Sequence, residues 1–432
     1  MTWRTRFVAL AQWIGLGAVV GVLCGAASAG FLFLLAAATD YRNGHEQLIY
    51  ALPLAGLVIG TLYARFGQPI KGGNNLVIDA IHDDGPEIPL RMLPMVLAGT
   101  VLTHLFGGSA GREGTAVQMG ASVTDYLAHR AKLPGALRRQ LLAAGVAGGF
   151  GSVFGTPIAG AVFGLEFIVL GRLEYDALVP ALVASIVGDL TTRALGIVHT
   201  AYPAAPHVEL TPLLCAQWLG FALAVALVST AFIELTHALK RAGERFARPL
   251  GLRMAIGGAI VVVLWRVLGT SDYLGLGVPT IVRSFSPGGV PDWAFAAKLV
   301  LTAVTLGAGF LGGEVTPLFF IGAALGGVLG PALGIPAELG AGVGLAAMFA
   351  AASNTPLALS IMAVELLGAQ VLPHVVIVCV IAYLATGHRS IYPAQRLARG
   401  KAGGGPSAPT RLRDLPPVPT AVSERESKTG PS

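Results

Sequence analysis

Charge is what this chain has least of. Of its 432 residues only 12% are Asp, Glu, Lys or Arg, 54% are hydrophobic, and mean hydropathy is +0.70. A water-soluble domain carries about 25% charged residues, so composition excludes that class. Cysteine is scarce as well. Cys24, Cys215 and Cys379 each lie inside an apolar run, without the close pairing of a metal site or a disulfide framework, and read as small core hydrophobes. Ten-residue alternation between turns, the mark of a membrane barrel, is missing. The nine scattered histidines form neither a metal-type cluster nor part of a Ser/His/Asp set, so an enzyme is not expected. The reading requires no cofactor and no metal.

What the chain does have is apolar and small residues running for about 20 positions at a time, the length a helix needs to cross a bilayer. This predicts an all-α polytopic membrane protein. The formal charge of +6 falls at segment ends: Arg4 and Arg6; Arg130, Lys132, Arg138 and Arg139; Lys240, Arg241, Arg245, Arg248 and Arg253; Arg389, Arg396, Arg399 and Lys401. That is the positive-inside pattern rather than a nucleic-acid face, and it places both termini in the cytoplasm.

Met1 to Ala38 predicts a first span that stays attached, although GAASAG at Gly25 could pass for a signal-peptidase site. Asp40 to Gln47 predicts a polar loop, and Leu48 to Tyr63 begin the return. In KGGNNLVIDAIHDDGPEIP, from Lys71, Asn74 and Asn75 suit a helix start, and Asp83, Asp84, Gly85 and Pro86 its end. Asp189 and Arg193, one turn apart, read as a structural pair.

The run from Met92 to Thr124 contains two charges, Arg112 and Glu113, inside GGSAGREGTAVQMGAS. A carboxylate at membrane depth costs a few kcal/mol or more and marks function more often than accident. Roughly two hundred residues later the pattern returns. Gly111-Arg112-Glu113-Gly114-Thr115 corresponds to Gly312-Gly313-Glu314-Val315-Thr316, and Thr156-Pro157 with Glu166 to Thr355-Pro356 with Glu365. Correspondences in one order at nearly one offset predict a repeat: a first half over 1–205, a second over 206–400, and broken helices at their interface. If the halves are inverted, half-helix starts converge near the midplane. They carry partial positive charge and free amides, so the natural guest is an anion. The glycines of GGVLG at Gly326 need no more than close helix packing.

GREGT at Gly111, FGTPIAGAVFGLE at Phe154, GGEVTP at Gly312 and IYPAQRLAR at Ile391 together resemble the CLC family of chloride channels and anion/proton antiporters, from about Trp13 to Arg399. The resemblance implies a CLC-type inverted repeat with re-entrant helices and a homodimer with one pore per subunit. Three departures from the chloride-handling pattern stand out: Thr115 where a proline is usual, Gly313-Glu314-Val315-Thr316-Pro317 in place of G-x-F-x-P, and Gly73-Asn74 in place of glycine-serine. This combination is similar to the fluoride-exporting branch, CLC-F, although no phenylalanine follows between Asn74 and Pro86.

Fluoride is compact and strongly hydrated, so a site must replace lost water with several good donors. The Asn74 amide offers two N–H groups and Thr316 a hydroxyl, beside the backbone amides at Gly111, Arg112, Gly114, Thr115 and Val315. A helix cap without ion contact is the other account of Asn74, and Asn75 is the alternative pore-facing residue. The resemblance makes Glu113 a gate: its carboxylate sits where an anion would, and protonation releases it. An Arg112–Glu113 pair fixing a helix end is the plainer account. Chloride-branch antiporters place an inner glutamate directly after the position of Glu166, where this chain has Phe167. Glu314 is the implied substitute for moving protons or HF. Tyr392 matches the family's inner hydroxyl donor, with a plain interfacial tyrosine as the competing account.

Residues 401–432 are rich in Pro, Ser and Gly and predict a disordered cytoplasmic tail. The expected function is a fluoride/proton antiporter of a bacterial inner membrane, with fluoride, protons, lipid and a second copy as partners and no nucleic acid. A chloride/proton antiporter or channel of the same fold is the alternative.

Overall fold

The computed structural model describes residues 3–82, 85–401 and 403–415. The apolar runs form eight helices in the first half: α1 (Trp3–Gly44), α2 (Leu52–Phe66), α3 (Asn74–Ile81), α4 (Met92–Leu105), α5 (Glu113–Arg130), α6 (Gly135–Phe154), α7 (Pro157–Glu166) and α8 (Leu178–Ala194). The second half repeats them: α9 (Pro212–Phe246), α10 (Leu250–Leu268), α11 (Val278–Arg283), α12 (Ala294–Ala308), α13 (Val315–Ala332), α14 (Ala337–Ser353), α15 (Pro356–Leu367) and α16 (Leu372–Ala385). The lengths repeat too. Each half opens on its longest helix, of 42 and 35 residues, and its third is its shortest, of 8 and 6. Among the described residues six helices are long and apolar enough to cross a membrane. The fold is an all-α, polytopic inverted repeat.

The breaks in the spans have local causes that recur at the repeat distance. Gly155 and Asn354 end α6 and α14 in the left-handed conformation, with φ of 73° and 61°. Pro157 and Pro356 then open α7 and α15, where the missing N–H costs nothing. Dense packing surrounds these breaks: a Cβ on Gly326 would overlap the carbonyl oxygen of Gly340, so its glycine serves close approach of α13 and α14.

Two local expectations change, and a third falls outside the described residues. The first helix does not stop before Asp40 but runs to Gly44, where Arg42 donates to Asn43 Oδ1 at 2.9 Å and to the carbonyl of His104 at 3.4 Å. Asp83 and Asp84, expected to end α3, lie outside the described residues; the helix itself ends at Ile81. The disorder expected from residue 401 onward does not begin there. Residues 403–415 fold back, with Thr410–Arg411 (β3) antiparallel to Arg396–Leu397 (β2), which runs parallel to Val169–Leu170 (β1). Arg411 and Arg413 reach Asp79 of α3 at 2.9 and 3.4 Å, and these contacts hold the segment down. Residues 416–432, the rest of that tail, lie outside the described residues. Asp189 pairs with Arg193 at 3.0 Å as expected, and His199 joins them at 3.2 Å.

Candidate functional site

The two acid-bearing motifs meet. Gly111 and Gly313 form an antiparallel bridge, each N–H donating to the other's carbonyl at 2.6 and 2.8 Å. Only glycine permits this approach, since a Cβ on Gly111 would sit 2.9 Å from the Gly313 oxygen. The bridge sets the starts of α5 and α13 side by side. The segment leading into it is also fixed: Ser109 Oγ lies 2.9 Å from Thr302 Oγ1, and His104 Nε2 lies 3.0 Å from the Ala110 oxygen.

Glu113 is wholly buried at the first turn of α5. Its Oε2 accepts the Thr316 N–H at 3.1 Å and the Arg112 N–H at 3.1 Å. The Thr316 hydroxyl donates to Oε1, and Arg112 Nε stands 3.4 Å from the same oxygen. The carboxylate is thus held by the start of a helix from the opposite half, where the free amides and the macrodipole favour negative charge. A carboxylate so placed fills the position of an anion. The Arg112 pairing expected as the plainer account of Glu113 is present.

On one side of this centre lies a cavity of about 190 Å³ walled by Asn74, Asn75, Thr115, Gln118, Glu314 and Tyr392, among others. Asn74 opens α3 and is buried; its Oδ1 has no hydrogen-bond partner among the described residues, and neither has Glu314 Oε2. Asn75 Oδ1 accepts the Ala394 N–H at 3.0 Å. Asn75 is thus anchored through its oxygen to the segment after Tyr392, whereas no such anchor holds Asn74, whose Nδ2 lies beside Gly114 at the start of α5. Gly114 has to be glycine here, because a Cβ would come within 2.9 Å of Asn74 Nδ2 and 3.2 Å of Gly313 Cα. Thr115 shares a 2.7 Å hydrogen bond with Thr100 of α4, which fixes its rotamer at the cavity wall. Val315 is a buried apolar side chain at the first position of α13, so only its backbone amide could serve an anion. Tyr392 is buried, its ring edge-on to Phe167 at 5.0 Å, and Phe167 stacks on Phe163 at 5.0 Å. That aromatic wall occupies the position directly after Glu166.

Glu166 and Glu365, matched across the repeat, are not on the wall of this cavity; they cap helices. Three further cavity residues escaped the sequence reading: Lys71, Gln118 and Lys240. Gln118 follows Gly114 by one turn of α5 and so shares its face. Lys240 carries weight in the topology argument alone, and Lys71 carries none there although it directly precedes the GGNN segment.

Two inverted halves whose broken helices turn their positive ends toward one buried carboxylate define a polytopic membrane protein with an anion-type centre. The chain belongs to the CLC family: residues 55–387 match the family described as voltage gated chloride channels. A chloride/fluoride channel protein of Pseudomonas syringae pv. tomato is 45% identical over 398 residues, covering 91% of this chain and 88% of its own. The crystal structure of a CLC-type fluoride/proton antiporter is similar at a TM-score of 0.87 and 38% identity, covering 92% of this chain and 100% of that one. A slow cyanobacterial Cl−/H+ antiporter shares the fold at a TM-score of 0.78 and 18% identity, covering 88% of this chain and 96% of that one.

Proposed function

We propose that this protein is a fluoride/proton antiporter that exports fluoride across the bacterial inner membrane. The observation that carries the reading is the Glu113 carboxylate on the Thr316 N–H and hydroxyl, beside a cavity that ends at Asn74 and Glu314. Proton and anion compete for one positive pocket. Protonating Glu113 removes the charge that holds it at the start of α13 and frees the Thr316 donors for an incoming ion. When the ion leaves, the deprotonated carboxylate returns. Each cycle then moves the two in opposite directions without ATP.

The choice of fluoride rests on donor chemistry and on relatives. Asn74 Nδ2, the Thr316 hydroxyl and N–H, and the backbone amides at the starts of α5 and α13 offer a small hard anion several strong donors. A relative 45% identical is called a chloride/fluoride channel protein, and a neighbour 38% identical a fluoride/proton antiporter. With Phe167 closing the chloride-branch proton route, Glu314 takes the proton-transfer role, as a carboxyl oxygen on the cavity wall with no partner among the described residues. A homodimer with both termini cytoplasmic completes this reading, the dimer on the family resemblance and the termini on the basic segment ends.

The test is reconstituted efflux of fluoride and chloride side by side while internal pH is read. Fluoride should leave much faster and drive proton entry. Glu113→Gln should move fluoride without proton flux, and Glu314→Gln should weaken coupling. Equal rates for the two anions would instead favour a chloride antiporter or channel of the same fold.

A further inference from the structure

The cavity that ends at Asn74 and Glu314 has an entrance, and its charge is not explained by the residues that grip the ion. Its wall includes Lys71, from the turn before α3, and Lys240, from the last turns of α9. The two come from opposite halves of the repeat. Both are exposed, and among the described residues neither has a carboxylate within ion-pair distance. Lys71 also lines a neighbouring cavity with Arg248, Arg253 and Glu244, and there Arg253 is committed elsewhere: its Nε donates to the Ala308 carbonyl at 3.1 Å, and its guanidinium lies 3.9 Å from Glu244.

We infer that Lys71 and Lys240 form an anion-capture site at the cytoplasmic mouth of the cavity, which gathers a small hydrated anion before it reaches Asn74. This rests on the proposed antiporter reading and adds its entry step. The charge balance of the wall supplies the reason. Deeper in, the cavity presents oxygen acceptors, Asn74 Oδ1 and Glu314 Oε2, that have no partners among the described residues. Acceptors repel a bare anion, and an ionised Glu314 would make the interior negative. Two ammonium groups outweigh one carboxylate, so with them the mouth is net positive and without them it reverses sign. A cleft lined by one sign of charge concentrates the opposite ion and raises its entry rate by tenfold or more. Lysine fits this task better than arginine, because a flexible, strongly hydrated point charge attracts an ion without binding it in a rigid fork.

A bulk-lined mouth would not depend on salt, whereas this one should. Wild type and Lys71→Gln/Lys240→Gln are compared in proteoliposomes for the apparent KM for fluoride, maximal rate and fluoride-to-proton ratio, at low and high ionic strength of impermeant salt. The double variant should show an apparent KM raised about tenfold at low salt with the ion ratio unchanged, and the gap should close to about twofold at high salt as screening shortens the reach of charge. Lys240→Cys supplies an arm that does not depend on the double variant folding. A thiol reagent carrying positive charge should restore fluoride entry, and one carrying negative charge should depress it further. An unchanged apparent KM at low salt, a salt-independent gap, an altered ion ratio or a reagent effect blind to charge sign would each overturn the capture site. Failure of the antiporter reading looks different: wild type itself would move fluoride without protons. A lysine-dependent KM for chloride in a protein that ignores fluoride would keep the capture site and overturn its fluoride ligand.

Discussion

Glu166 and Glu365 are each other's counterparts across the internal two-fold, and each caps the helix that the other ends. Glu166, at the end of α7, accepts the N–H groups of Leu357 and Ala358 at 3.1 and 2.8 Å, at the start of α15. Glu365, near the end of α15, accepts those of Ile158 and Ala159 at 2.9 and 2.8 Å, at the start of α7. Both re-entrant helices would otherwise present free amides in a membrane, where no water can satisfy them.

Removing one cap should therefore cost stability rather than transport chemistry. Glu365→Ala strands two amides, and a hydrogen bond to a charged group is worth about 1.5–3 kcal/mol. The melting temperature in detergent should fall by several degrees, with the fluoride-to-proton ratio of the surviving protein unchanged. Glu166→Ala should behave alike, and the double variant should lose less than the sum, since the two caps clamp one antiparallel pair. A Glu166 variant that kept its stability but lost coupling would put this residue on a proton path and contradict the capping role.

Thr316 is the donor that both competitors need. Its hydroxyl and N–H hold the Glu113 carboxylate, and an anion replacing that carboxylate would take the same two groups. Thr316→Val keeps the volume and the N–H but removes the hydroxyl. Apparent fluoride affinity should fall about tenfold or more, in line with one charge-assisted hydrogen bond. Chloride, with its more diffuse charge, should lose less, so the selectivity ratio falls as well. Thr316→Ser should stay within about twofold of wild type, because it keeps the donor. Paired flux measurements for the two anions on these variants would check both effects.

The two asparagines of GGNN separate cleanly by what their side chains already hold. Asn75 Oδ1 is occupied by the Ala394 N–H, while Asn74 Oδ1 is unpartnered and Asn74 Nδ2 faces Gly114. Asn74→Ser should bring the fluoride-to-chloride rate ratio down by about tenfold, replacing two amide donors with one hydroxyl. Asn75→Ser should leave that ratio unchanged and loosen the segment after Tyr392 instead, read as faster hydrogen exchange at Ala394. Equal effects of the two substitutions on selectivity would contradict this division.

Periodicity and repetition made the helices and the pairing of halves legible, because both are patterns along the chain. The meeting of GREGT with GGEVT could be foreseen since inverted halves bring equivalent motifs together. Other contacts left no mark of that kind. Nothing in the chain says that Glu166 reaches Leu357, or that Asp79 in α3 holds Arg411 and Arg413, since partners so distant in sequence are chosen by packing alone. Residues 403–415 differ from expectation for the same reason: their composition suits disorder, while pairing with β2 and the contacts to Asp79 of α3 fix their path. Lys298 did carry a signal, as a cation alone in an apolar helix.

Lys298 offers the last test, and two opposing magnitudes decide its form. The side chain is wholly buried in α12, donates to the carbonyls of Tyr273 and Gly275 at 3.1 and 2.6 Å, and lies 5.3 Å from the Phe320 ring centre. Lys298→Met strands two carbonyls at about 1–3 kcal/mol each, but it also relieves a buried charge whose desolvation costs several kcal/mol. The melting temperature should therefore move little. The geometry of the loop between α10 and α11 should move more. Gly275 N–H donates to the Gly108 carbonyl at 3.2 Å, so slack at Gly275 passes to the segment that ends at the Gly111–Gly313 bridge. Hydrogen exchange at residues 107–111 and 273–275 should rise about tenfold in Lys298→Met, with a smaller change elsewhere. Fluoride flux should fall while its selectivity over chloride holds, because the donors of Thr316 and Asn74 are untouched. Unaltered exchange at both segments, with flux reduced, would mean that the ammonium acts on the ion directly through its charge rather than by holding the loop.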